Sequence, residues 1–171
     1  VRLIVDPDGE YSRHGLRCRT LEELCRRAQG SAALTFVPSA DRPTGIRQFA
    51  FICSLAWSLA ARRPPVLLVV DELSEFTTAT EAPFEWRRVV KRGRKAGISV
   101  LAAAQRPAEI DKTIWSNASL VRAGRLNYPE DQRTIAAAIA APLDQVVSLG
   151  NLDYLERDHN AAQLRRGRLT F

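Results

Sequence analysis

The chain has 171 residues, 46% hydrophobic and 26% charged, with 25 basic side chains, 19 acidic ones and a net charge of +6. That length suits one compact domain, and the apolar share excludes a disordered chain. Three cysteines with no C-x-x-C pair exclude a disulfide scaffold and a zinc ribbon. The positive charge is almost all arginine, with Lys91, Lys95 and Lys112 as the exceptions. Guanidinium forks suit phosphate and carboxylate better than ammonium does. Nucleic acid, a nucleotide or an acidic neighbour is therefore the partner class to look for.

The sequence holds no methionine and opens inside an apolar run, Val1-Arg2-Leu3-Ile4-Val5, which leads us to expect an internal piece of a longer protein. No basic-then-apolar leader with a small-residue cleavage site is visible. The longest apolar stretch, Phe49 to Ala61, covers 13 residues, short of the ~20 that span a bilayer. A soluble, cytoplasmic chain without a membrane segment is expected.

In chain order, short apolar runs alternate with amphipathic stretches. Leu3–Val5 reads as a strand, Thr20–Gln29 as a helix, Ala33–Val37 as a strand and Ile46–Arg62 as a helix. Val66–Val70 is a strand without polar alternation, as expected of a parallel strand covered on both faces. Phe84–Ala96 is helical, with Gly97 placed as a C′ glycine. Ile98–Ala104 and Leu120–Ala123 read as strands, Glu130–Ala141 as a helix, and Arg168–Phe171 as a last strand. Gln163 to Leu169 reads as a basic turn entering that strand. The alternation predicts an α/β fold, a mostly parallel sheet flanked by helices, in a single domain over residues 1–171.

In such sheets ligands bind outside the carboxyl ends of the strands. Asp6-Pro7-Asp8-Gly9-Glu10-Tyr11 follows the first strand, Asp71-Glu72 the buried one, and Gln105-Arg106-Pro107 follows Ile98–Ala104. An apolar strand delivering two adjacent carboxylates has the Walker B arrangement: one acid for Mg²⁺, the other for the attacking water. Taken alone, Asp71 and Glu72 read equally well as solvated acids at a strand end. Gln105 has an amide that both donates and accepts, fit to sense a γ-phosphate, and reads equally as a loop glutamine. Six of the nine residues from Arg87 to Lys95 are cationic. They match a helix C-terminal dipole, an arginine finger reaching a neighbouring nucleotide, or a contact to DNA phosphate.

The order Leu67-Leu68-Val69-Val70-Asp71-Glu72, Arg92-Gly93-Arg94-Lys95-Ala96-Gly97-Ile98, Ala104-Gln105-Arg106-Pro107-Ala108-Glu109-Ile110 resembles the HerA/FtsK superfamily of P-loop ATPases. That group includes conjugative coupling proteins and viral genome-packaging ATPases. Leu3 to Tyr11 resembles the strand and turn after the P-loop helix of its HerA-like members. Asn117-Ala118-Ser119 and the helix opening at Glu130 also fit the plan. The similarity spans most of residues 1–141. It implies a RecA/ASCE-like P-loop NTPase fold, with Asp71 serving Mg²⁺ through water and Glu72 as the catalytic carboxylate. It further implies Gln105 as the γ-phosphate sensor and Arg94 as an arginine finger acting in trans, with Arg92 as its alternate. Arg106 is placed beside the nucleotide, ordering the loop or meeting the adjacent subunit. Cofactors ATP and Mg²⁺, DNA as partner and a homo-hexamer follow from the same resemblance.

One departure stands out. No G-x-x-x-x-G-K-[ST] occurs in the chain, so the P-loop and its strand, central in the family's sheet, are expected upstream of residue 1. The segment alone is then expected to be inactive. His14, Cys18 and Cys25 have no metal-site spacing, and Cys53 and Trp57 read as core. No G-x-S-x-G elbow and no G-x-G-x-x-G are present. The expected function is the core of an ATP-driven DNA translocase or packaging motor. The alternative is a non-catalytic oligomerisation or DNA-binding module that has lost nucleotide binding.

Overall fold

The computed structural model describes residues 1–170. The chain divides into two compact units, Val1–Gln105 and Arg106 onward. In the first, β1 (Arg2–Val5), β2 (Leu16–Cys18), β3 (Ala33–Phe36), β4 (Val66–Val70) and β5 (Ile98–Ala102) form one sheet in the order β2-β3-β1-β4-β5. Every pairing in it is parallel. Helices α1 (Leu21–Ala28), α2 (Arg42–Ala60) and α3 (Phe84–Arg92) connect the strands.

Local chemistry sets the helix ends. The Thr20 hydroxyl accepts from Glu23 N at 3.0 Å and opens α1. Asp41 accepts from Thr44 N at 3.1 Å and opens α2, satisfying amides that have no partner within the helix. Along α2, Phe49, Ile52, Cys53, Ala56 and Leu59 are buried, the three-and-four spacing of an inward helical face. This face packs on β1, β4 and β5, between α1 and α3. Phe49 stacks on Phe76 with centroids 4.6 Å apart and tilts against the fully buried Trp86 at 5.4 Å. Full burial of each such ring stabilises by roughly 1.5–3 kcal/mol. Trp57, expected in the core, carries the Arg88 guanidinium 4.0 Å above its ring.

On β4 the structure departs from the sequence expectation. Val66, Leu68 and Val70 are buried, but Leu67 and Val69 only partly. The strand is not sealed on both faces because α2 covers one of them. β5 is the edge of the sheet, and its Leu101 is 60% exposed. Gly97, before β5, has φ +82°, a left-handed conformation that glycine adopts without a Cβ penalty, as its C′ placement requires.

The second unit is built on an antiparallel sheet, β6 (Leu120–Gly124), β7 (Asp153–Asp158) and β8 (Gln163–Arg168). Helices α4 (Pro129–Ala138) and α5 (Leu143–Val147) complete it. Val121, Ile135, Ile139, Val146, Leu149 and Leu155 form its core. The last strand is thus Gln163–Arg168 rather than Arg168–Phe171. Residues read as a basic turn are the strand itself, held by full pairing with β7. Phe171 lies outside the described residues.

Candidate active site

Parallel pairing brings the exits of β1, β4 and β5 to one rim of the sheet. Two hydrogen bonds continue the β4–β5 ladder past the strands: Ala103 N donates to Val70 O at 2.9 Å, and Leu73 N donates to Ala103 O at 2.8 Å. They fix the chain after Glu72 beside the chain before Gln105. Gln105 N then donates to Glu72 Oε1 at 3.3 Å, and the Ser74 hydroxyl donates to the same oxygen. Oε2 accepts no hydrogen bond. One carboxylate oxygen is anchored, and the other remains to take a hydrogen bond or a proton from a water. The Gln105 side chain is exposed and makes no hydrogen bond, so its amide is free for a ligand.

Glu72 adopts φ +43° and ψ 66°. A left-handed conformation brings the Cβ of an L-residue against its own backbone, at roughly 1–2 kcal/mol. Such strain persists where the surroundings over-determine it; here the two ladder bonds and the Oε1 anchors do so.

Asp71, one residue earlier, continues the β1 ladder through Asp71 N to Val5 O at 3.0 Å. Burial pushes its carboxyl up, against a hydrogen bond from backbone N–H that favours the ion, and the charges of Glu72, Asp6 and Asp8 add to the rise. The Asp71 charge is in turn the main cause raising the Tyr11 phenol, with burial, Glu10 and Asp6 adding to it. Asp6 is buried and clips the loop that carries Tyr11, accepting from Glu10 N at 3.0 Å and Tyr11 N at 2.9 Å. The Asp-Pro-Asp-Gly-Glu-Tyr sequence marks a polar strand exit but does not show that Asp6 turns inward. Concentrated negative charge on a partly buried rim suits a hard cation. Among the described residues, no three His, Cys, Asp or Glu groups are arranged to hold a metal by themselves.

Arg92 and Arg94 are exposed and without ion pairs or hydrogen bonds. They lie before β5, at the opposite end of the sheet from Asp71, Glu72 and Gln105. Five residues of strand at ~3.3 Å each separate the two ends by about 17 Å, well beyond an arginine side chain. The structure therefore does not bring them to the carboxylates of their own chain.

In the second unit, Arg106 is already engaged. Its Nε donates to Asp131 Oδ2 at 2.7 Å, an ion pair links it to Glu109 at 3.0 Å, and its guanidinium lies 4.4 Å over the Tyr128 ring. Asp131 is 1% exposed and also accepts from Ala108 N at 2.9 Å. Arg106 thus orders its own loop. Sequence reasoning missed Asp131, which reads as one of two acids in the first turn of α4.

The first unit has a P-loop NTPase-like fold. Comparison with solved structures bears this out. The genome packaging NTPase B204 from Sulfolobus turreted icosahedral virus 2, in complex with AMPPCP, superposes with a TM-score of 0.80 at 17% identity, covering 99% of this chain and 82% of that one. The bacterial conjugative coupling protein TrwB superposes with a TM-score of 0.62 at 12% identity, over 86% of this chain and 43% of that one. Both solved structures share this P-loop NTPase-like fold. In sequence, the chain is 26% identical over 151 residues to Protein P9 of Pseudoalteromonas phage PM2, covering 86% of this chain. It spans 66% of that protein, just under two thirds. No known family model matches the chain.

Proposed function

We propose that this chain is the core of an ATP-driven DNA motor of the genome-packaging or DNA-transfer kind, active as a homo-hexamer with ATP between subunits. The observation that carries the reading is the carboxylate of Glu72, locked at one oxygen by Gln105 N and Ser74 and open at the other. In this role Glu72 orients the attacking water and takes its proton, while Gln105 offers its side-chain amide to the γ-phosphate. Asp71 holds Mg²⁺ through water. Bound Mg–ATP supplies the phosphoryl group to be transferred. Arg94, with Arg92 as its alternate, acts in trans on a neighbouring subunit's nucleotide, in keeping with its distance from its own carboxylates.

The P-loop belongs upstream of Val1, and its strand belongs at the open edge of β5, which pairs on one side only. The solved neighbours support the reading, since B204 was crystallised with AMPPCP and with ATP-gammaS. The alternative is a module that keeps the fold without binding nucleotide. Reading the 40 or so residues encoded upstream separates the two, because the P-loop is a short local motif. In the full-length protein, Glu72→Gln is expected to keep ATP binding and lose turnover by a factor on the order of 10² or more, as typical for removal of a general base. Unimpaired turnover in that variant would refute the role of Glu72.

A further inference from the structure

The rim of the first sheet opposite Asp71 and Glu72 includes four chain segments: 1–2, 25–33, 59–66 and 90–98. Together they hold nine cationic side chains, Arg2, Arg26, Arg27, Arg62, Arg63, Lys91, Arg92, Arg94 and Lys95, and no aspartate or glutamate. All nine are exposed.

Hydrogen bonds join the segments into one continuous surface. Val66 N donates to Gly97 O at 2.9 Å, and Arg2 N donates to Ala32 O at 2.8 Å. Arg63 Nη1 donates to Ala28 O at 3.3 Å, tying the end of α1 to the end of α2. Apart from Arg63, only Arg27 has a local partner among the nine, Glu23 at 2.8 Å.

A dipole match does not account for this charge. Three helices end at this rim, and their C-termini carry about half a negative charge each. Nine cations exceed that several-fold. Arg27 and Arg63 apart, these side chains face solvent with no hydrogen bond or ion pair among the described residues.

We propose that this rim is the surface by which the chain grips the phosphate backbone of duplex DNA, a reading that rests on the motor function given above for its choice of anion. The dimensions fit. From β3 through β1 and β4 to β5 the rim spans three strand spacings of ~4.8 Å, about 14 Å. One DNA strand presents about four phosphates along that length. Arginine dominates the set, as bidentate phosphate contact favours. The unit is thus electrically divided, with carboxylates at one rim for the metal–nucleotide and, apart from the Arg92 and Arg94 assigned to a neighbour's nucleotide, cationic groups at the opposite rim for the polymer.

The test is fluorescence anisotropy of an end-labelled 20-base-pair duplex with the full-length protein, without nucleotide, across a salt series. Arg26→Ala, Arg62→Ala, Lys91→Ala and Lys95→Ala are combined in one variant; none of these four makes a hydrogen bond, and circular dichroism checks the fold. Each lost phosphate contact lowers the slope of log K against log salt by about 0.9. The slope is expected to drop by about 3 to 4, and affinity near 0.15 M salt at least tenfold. A charge-matched control, Arg17→Ala, Arg19→Ala, Arg125→Ala and Arg133→Ala, is expected to keep most of both. If the fourfold variant unfolds, Arg62→Glu with Lys95→Glu, both exposed and without a hydrogen bond, tests the same slope. Affinity and slope equal to the unsubstituted protein's would overturn the proposal and leave the rim to an acidic protein surface. Failure of the motor reading is separate: it shows as absent ATP turnover in the unsubstituted protein, a measurement without DNA.

Discussion

The left-handed backbone at Glu72 makes a prediction in which the usual order of two substitutions is reversed. Glu72→Ala and Glu72→Gly both remove the carboxylate, and with it the bonds from Ser74 and Gln105 N. They differ only in the Cβ. At an ordinary helical position, glycine is less stable than alanine by roughly 0.5–1 kcal/mol, because it gives up more freedom on folding. At φ +43° alanine retains a clash worth roughly 1–2 kcal/mol, which glycine relieves. The difference leaves the glycine variant ahead by about 0.5–1 kcal/mol. With a urea slope of ~2 kcal/mol/M, its midpoint lies about 0.25–0.5 M above that of the alanine variant. Ala61, exposed with φ −67°, serves as the reference position, where Ala61→Gly lowers the midpoint. Both Glu72 variants should lack turnover in the full-length protein. A Glu72→Ala midpoint equal to or above that of Glu72→Gly would show that the backbone is not strained there, and that the carboxylate is positioned some other way.

Two further outcomes are expected in the second unit. Asp131→Ala strips the partner from Ala108 N and from Arg106. The orphaned amide costs about 1–3 kcal/mol, while Arg106, 36% exposed, recovers much of its loss in water. Urea unfolding of the variant should show a loss of roughly 1–3 kcal/mol, and a loss below a few tenths would show that the pair is dispensable. Asp153 is held below the usual carboxylate range, first by the Arg166 hydrogen bond and then by Gly150 N, with the charge of Arg168 assisting. Because its folded value lies below its unfolded one, its contribution is complete above the unfolded value near 3.9 and disappears as pH falls through the folded value. Asp153→Asn should therefore be less stable than the parent at pH 7, with the gap closing below about pH 4. A gap that stays constant from pH 7 to pH 3 would argue against the ion pairs.

What could be read from the sequence follows from how local each determinant is. Val66 to Val70 announce a parallel strand by composition, although only one face of it is sealed, and the rule that ligands sit at strand exits then groups Asp71, Glu72 and Gln105. The elements that went unread lack a local signal. β2 has only three residues, two of them exposed. β7, Asp-Tyr-Leu-Glu-Arg-Asp, carries four charged residues in six, and its place in a sheet depends on cross-strand partners such as the Arg122–Glu156 pair at 2.6 Å. The reach of Arg106 to Asp131 crosses 25 positions. The strain at Glu72 is a product of two flanking ladder bonds and has no counterpart in residue type. Sequence shows which chemistry is available at each exit; the fold decides which oxygen is tied down.

The edge position of β5 has a consequence for handling the chain. Natural edge strands defend themselves with charges, prolines or bulges that discourage a second chain from pairing. Ile98-Ser99-Val100-Leu101-Ala102 has no charge, no proline and no glycine, and it leaves one row of peptide groups unpaired. Its composition is that of a strand accustomed to neighbours on both sides. Where nothing occupies the outer side, copies of the chain meet edge to edge, and aggregation through β5 competes with any functional assembly.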